Sequence, residues 1–323
     1  MDNITHTLGA ILLSRAGLNR LSPRATWLLV AAANVPDLDM LATLAGPGIA
    51  IRTHRGPLHS LVALPLVALL VTMAIWLVRR KDFAWGRAYA VALAGAASNP
   101  IFDLANAYGV RILWPFSGRW FHADFLPIID PWIWLLLLVG LVAPWLSRLV
   151  SSEMGAKPGS GRGAAILVLS LISAYCFGRY LLHERAVAVL DSHMYQGEIA
   201  VRVAALPDLA SPFRWTGLVE GEGFIEELPE VNLLEDFNPT AGVVYYKPPP
   251  GPEVARARET ALFRAFLDFA QWPVWRVAPL TGPEGGVTVE LTDLRFGAPG
   301  HSRFGVTARL DGSGRVVETK PLF

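Results

Sequence analysis

Residues 61–78, LVALPLVALLVTMAIWLV, run for 18 residues without a charge. Such a run is long enough to cross the hydrocarbon core of a bilayer as a helix. Further apolar stretches follow the same reading. PWIWLLLLVGLVAPWLS (131–147) carries interfacial tryptophans at Trp132 and Trp134, and GAAILVLSLISAYCFG (163–178) extends to Leu182. AYAVALAGAASNPIF (88–102) is rich in the small residues that let helices approach closely, and ATWLLVAAANVP (25–36) continues beyond Asp39. ITHTLGAILLSRAGL (4–18) is apolar but short. The composition agrees: of 323 residues, 53% are hydrophobic and 17% charged, too apolar for an ordinary soluble domain.

The reading is a membrane all-α helical bundle of about six apolar helices over residues 1–183, followed by a small α+β domain over 184–323. The stretch 184–206 reads as a helical linker. Beyond it, RWTGLVEGEGFIEELPEVNLL reads as two strands about a glycine turn, and AGVVYY (241–246) as a short strand. ARARETALFRAFLDFAQW (255–272) has helical apolar spacing. VTVELTDLRFG and FGVTARLDGSGRVVE read as antiparallel strands, the second pair turning at DGSG.

Basic residues set the expected orientation. Arg15, Arg20, Arg24, Arg79, Arg80, Lys81, Arg87, Arg148, Lys157 and Arg162 make ten on one set of loops, while the opposite loops carry four, Arg52, Arg55, Arg111 and Arg119. The positive-inside rule puts the ten in the cytoplasm and the α+β domain outside, in a multi-pass protein of a bacterial inner (cytoplasmic) membrane. A net charge of +1 gives no sign of a nucleic-acid partner, so membrane lipids are the expected surroundings. Cys176 is the single cysteine, which excludes an intrachain disulfide. The glycine stretch GSGRG (159–163) lacks the Lys-Ser/Thr of a phosphate loop and reads as a linker.

Against this apolar background, ionisable residues stand in four motifs: DNITH (2–6), PDLD (36–39), HRGPLHS (54–60) and SNPIFD (98–103). Each touches the end of an apolar stretch, where a charge is expensive and marks a site. Threading the helices up and down brings all four to the non-cytoplasmic face. His6, Asp37, His54, His59 and Asp103 are the candidate metal ligands, a His/Asp set suited to zinc, or to manganese or magnesium as harder cations. Asp39, beside Asp37, is placed to orient a water, and Arg55 to meet a phosphate oxygen. In the aromatic loop 104–130, His122, Asp124 and Asp130 are weaker candidates for the lining.

These four motifs, with the D-x-x-x-x-YG-x-x-x-x-WPF stretch that starts at Asp103, resemble the YdjM-like family of bacterial membrane proteins, described as membrane-bound metal-dependent hydrolases. The motif likeness covers residues 1–182. That family in turn is similar to the zinc-dependent phospholipase C and nuclease P1 group, whose helices carry His and Asp ligands to a metal centre that hydrolyses phosphoesters. The resemblance implies His6, Asp37, His59 and Asp103 as ligands, Asp39 and His54 as helpers, and a phosphoester substrate such as a lipid headgroup. The chain departs from the family pattern at one place: Asn99 stands where H-x-x-x-D would put a histidine one turn before Asp103. Two other readings remain open, a non-catalytic metal- or lipid-binding membrane protein and an ion-coupled transporter. The transporter reading expects an inverted repeat, which the sequence does not display.

Overall fold

The computed structural model describes all residues except 79, 81–82, 154–160, 248–250, 281–284, 303 and 323, and leaves the side chains of 147–153 aside. The chain divides into two compact units. The first holds Met1–Asp39, Arg55–His183 and Pro207–Pro212; the second holds Met40–His54, Glu184–Leu206 and Phe213–Phe323.

The first unit is helical. Its elements are α1 (Asn3–Ala16), α2 (Ala25–Asn34), α4 (Ala63–Val78), α5 (Trp85–Asp103), α6 (Pro131–Glu153) and the part of α7 (Arg162–Asp191) up to His183, with α3 (Pro47–Thr53) falling in the second unit. The two apolar cores follow from residue size. In one, Ala32, Ala33, Ala88, Ala92 and Ala96 interleave with Leu28, Leu29, Val67 and Val71, so α2, α4 and α5 pack closely. A Cβ placed on Gly95 would lie 2.8 Å from the Leu29 carbonyl oxygen, so only glycine permits this approach of α2 and α5. The other core joins α1, α6 and α7 through Leu12, Ile133, Leu137, Ala165 and Val168. Gly140 has the same function there, since a Cβ would lie 3.1 Å from Val168.

The expectation of about six membrane-crossing helices is corrected. A helix forms at each of the six apolar stretches, but two segments are long and apolar enough to cross a membrane, Ala25–Ala45 and Arg162–Asp191, among the described residues. A third exists if Pro47–His59 and Ala63–Val78, bent by 79°, count as one span. The reasons are local. At 1.5 Å per residue, the 14 residues of α1 reach about 21 Å, short of a bilayer core. α6 runs over 23 residues, and its described side chains, Pro131–Leu146, are apolar. Eight of the 19 residues of α5 are alanine or glycine, and Arg87 stands in its first turn, so it is a packing helix rather than a greasy one.

Asp130 has a structural explanation. Its carboxylate accepts hydrogen bonds from the backbone N–H groups of Trp132 (2.9 Å) and Ile133 (3.0 Å) and from the Tyr175 hydroxyl (3.0 Å). It thus caps α6 and ties it to α7.

The second unit is α+β. After α7 ends at Asp191 the chain forms a small hairpin of β1 (Met194–Tyr195) and β2 (Glu198–Ile199), then β3 (Arg202–Pro207). The helical linker expected over 184–206 therefore stops at Asp191. Two four-stranded sheets follow. In one, β3 leads to β4 (Arg214–Glu220), β5 (Phe224–Asn232) and β6 (Val243–Tyr246), in the order β3-β4-β5-β6. In the other, β7 (Pro273–Pro279), β8 (Val287–Asp293), β9 (Gly305–Leu310) and β10 (Val316–Pro321) stand in the order β10-β9-β8-β7, all pairs antiparallel. The helix expected over 255–272 is two short ones, α8 (Pro252–Glu259) and α9 (Ala261–Leu267). Thr260 takes an extended conformation between them, and its side chain accepts from the Phe263 N–H as the N-cap of α9. Phe263, Phe266 and Phe269 fill the core under the second sheet.

Candidate metal centre

The centre assembles at one end of the first unit, where helices start or stop. α1 is set by Asp2, whose carboxylate accepts from the backbone N–H groups of Ile4 and Thr5 (both 3.0 Å) and from the Thr5 hydroxyl (2.6 Å). Trp134 donates its indole N–H to that hydroxyl at 2.9 Å. The first acidic residue of DNITH is thus the helix cap, and one turn later His6 points inward, 1% exposed.

At the end of α2 the chain passes through Pro36 into a 3₁₀ stretch, Pro36–Ala45, that carries Asp37 and Asp39, both buried. HRGPLHS makes a tight reversal: Arg55 has φ of 52°, and Pro57 opens a single 3₁₀ turn that ends at His59. His59 inserts between the carboxylates. Its Nε2 lies 3.4 Å from Asp37 Oδ1 and 3.4 Å from Asp103 Oδ2, and its Nδ1 lies 3.2 Å from Asp39 Oδ2. Asp103, fully buried at the C-terminus of α5, also faces His6, with Nε2 3.6 Å from Oδ1. The amino group of Met1 contacts the same Oδ1.

His6, Asp37 and Asp103 each offer a donor atom, and these atoms lie within 4.8 Å of one another. Among the described residues, no hydrogen bond reaches either ring nitrogen of His6 or either carboxylate oxygen of Asp103. Buried polar atoms are rarely left so. Three carboxylates, Asp37, Asp39 and Asp103, face one guanidinium and one amino group. The donor chemistry, spacing and charge fit a divalent cation.

Arg55 ties the motifs together. Its backbone N–H donates to Asp39 Oδ2 at 2.7 Å. Its guanidinium donates to Asn106 Oδ1 at 2.9 Å and to the Met1 carbonyl at 3.3 Å, lies 3.0 Å from Asp103 Oδ1, and stacks over the Tyr108 ring at 4.8 Å. Asn106 escaped the sequence reading; its only signal was its place in the loop that follows Asp103.

Other expected positions fall elsewhere. His54 is the C-cap of α3, in the second unit, and is not in the group of converging donor atoms. His122 pairs with Asp124 at 2.7 Å, and Asp130 is occupied as a cap. Asn99 does face the centre. Its side-chain N–H₂ donates to Asp37 Oδ2 at 3.2 Å and to the Ala33 carbonyl at 3.0 Å, while its Oδ1 is buried without a hydrogen bond. Pro100 does not break α5, which runs on to Asp103, so residues 99 and 103 share a helix face.

The model of the YdjM inner membrane protein family matches residues 1–186. The chain belongs to that family. The model of the YfhP C-terminal alpha/beta plait domain matches residues 252–320. The uncharacterized protein YfhP of Bacillus subtilis (strain 168) is 24% identical over 282 residues, covering 85% of this chain and 78% of that protein. No solved structure matches. Membership in the YdjM family, together with the apolar helices, makes this a membrane protein whose first 186 residues are the part that matches the family.

Because Asn99 faces Asp37, a histidine there would reach the same space. Asn99→His is expected to bind zinc more tightly than the unchanged protein in a competition titration with a chromophoric chelator. Unchanged affinity would mean that an imidazole at 99 does not reach the cation.

Proposed function

We propose that this protein is a membrane-bound metal-dependent hydrolase that acts on a phosphoester. The observation that carries the reading is the convergence of His6, Asp37 and Asp103, buried and within 4.8 Å, beside the Arg55 guanidinium. His6, Asp37, Asp103 and His59 Nε2 hold the cation. A cation so held, zinc or alternatively manganese or magnesium, polarises a phosphoryl oxygen and makes water a nucleophile at neutral pH.

The chain's own residues do the rest. Asp39 is a positioning residue: its Oδ2 lies 3.2 Å from His59 Nδ1 and holds that side of the ring, so that Nε2 faces Asp37 and Asp103, the carboxylate–histidine arrangement that orients metal ligands. It thus takes a different role from that of orienting water. Arg55, held by Asn106 and Tyr108, keeps its positive charge against Asp103, where charge on a phosphoryl oxygen grows during attack. In the reaction, the water oxygen bonds to phosphorus, the ester oxygen leaves, and the proton lost by the water ends on that oxygen. A second reading, cation binding without turnover, is favoured by Asn99, which fills a ligand position with an amide.

Asp37→Asn is expected to remove most of the bound metal from purified protein while leaving it in the membrane. Hydrolysis of bis(p-nitrophenyl) phosphate should require added zinc or manganese, stop with EDTA and be lost in the same variant. Metal content that survives the substitution would remove Asp37 from the ligand set. Full metal loading with no turnover on any phosphodiester tried would favour the second reading.

The site and the α+β domain are proposed to be extracytoplasmic. In support, the four helices that carry the motifs each bear arginine at the opposite end: Arg15 on α1, Arg24 before α2, Arg80 after α4 and Arg87 on α5. Alkaline phosphatase fused after residue 322 should be active in the periplasm. A fusion active only with cytoplasmic reporters would turn the site to the other side.

A further inference from the structure

The first unit contains a second feature that the centre does not use. A cavity of about 480 Å³ lies among α1, α5, α6 and α7. Gly9, Phe102, Leu126, Leu137, Ile172 and Cys176 are among its walls, and no charged residue lines it. Its volume falls in the range of ligand sites, about 300–1,000 Å³, and hydrocarbon is the content such walls suit.

Two observations decide what that hydrocarbon is. First, α7 is a candidate membrane span, and only 22% of its most apolar window is buried inside the protein. Leu167, Leu171 and Phe177 on it are 60%, 45% and 64% exposed. In a YdjM-family membrane protein, the medium outside this wall is lipid. Second, the cavity adjoins the metal centre through Phe102. Phe102 lines it, precedes the ligand Asp103 in the chain, and sets its ring edge-on to the His6 ring with centroids 6.3 Å apart. Gly9, one turn after His6, lines it too and leaves room where a side chain would stand.

We infer that this cavity seats an acyl chain of a membrane phospholipid whose phosphoester is presented to the His6–Asp37–Asp103 centre. The inference rests on the hydrolase reading for the fate of the headgroup, and on the cavity alone for the tail. It makes the substrate a lipid drawn sideways from the bilayer rather than a soluble phosphodiester. Phe102 is then the partition between the two parts, apolar wall on one side and neighbour of a ligand on the other.

The test uses the full chain in nanodiscs of dioleoyl phosphatidylglycerol doped with the same lipid carrying a diazirine in its acyl chain. Leu13, Phe102 and Phe125 line the cavity and are half-buried, so a chain seated there touches them. Photolysis should label these three, and Ser173→Trp and Cys176→Trp, which fill the cavity from α7, should each abolish that labelling. Both variants should also lower hydrolysis of dioleoyl phosphatidylglycerol by about tenfold, a factor that lost burial of a few methylenes accounts for. Hydrolysis of the dihexanoyl lipid should be unchanged. Labelling confined to outward residues such as Leu171 and Phe177 would overturn the cavity assignment. The two readings fail separately. Interior labelling with no hydrolysis of either lipid retires the hydrolase and keeps the acyl site. Hydrolysis of both lipids without interior labelling does the reverse.

Discussion

Three aspartates and two histidines lie buried within contact distance at one end of a helical bundle, and much of the first unit is arranged around that concentration of charge. Removing ionised groups from water costs several kcal/mol each, repaid only by close partners. Arg55 meets part of the demand, and among the described residues no hydrogen bond reaches the side-chain polar atoms of His6 and Asp103. The proposed cation at the centre would satisfy both at once. On this account the metal does structural as well as chemical work, drawing together segments that start or stop four different helices.

The placement of those segments follows from where helices are interrupted. Asp2 caps α1 so that His6 sits on the second turn; Pro36 ends α2 just before Asp37; Gly56 and Pro57 turn the chain before His59. Residues at interruptions are not constrained by a helical repeat, so each can be aimed. The helices themselves are kept in register by small side chains. The alanines of α2 and α5, with Gly95 against the Leu29 carbonyl, fix the distance between Asn99 and Asp37. The apolar cavity beside Phe102 extends the same logic, since a site built at a helix end inherits the space between the helices.

Much of this was legible in the sequence because charges at the ends of uncharged runs are conspicuous. His6, Asp37, His59 and Asp103 converge as their positions suggested. The finer roles were not legible. Asp37 and Asp39 are two residues apart and alike in chemistry, yet Asp39 meets the far nitrogen of His59, a distinction set by the 3₁₀ path. His54 and His59 belong to one motif, yet His54 falls in the second unit and His59 in the first. The support of Arg55 by Asn106 is a long-range contact with no local pattern. Helix count misled in another way: each apolar run does form a helix, but spanning needs both length and apolarity, and α1, at 14 residues, lacks the first while α5, at 19, lacks the second. In the α+β domain, β3 passed for helix because RVAALP has no clear alternation, and Thr260 was an unseen break because a threonine, though favoured as an N-cap, also occurs inside helices.

The most direct check on the central claim is X-ray absorption spectroscopy of the purified full-length protein at the zinc edge. The account predicts a shell of nitrogen and oxygen donors at about 2.0–2.2 Å, with the outer-shell scattering of imidazole that weakens in His6→Ala. A spectrum of water and carboxylate without imidazole, or one showing sulfur from Cys176, would contradict it.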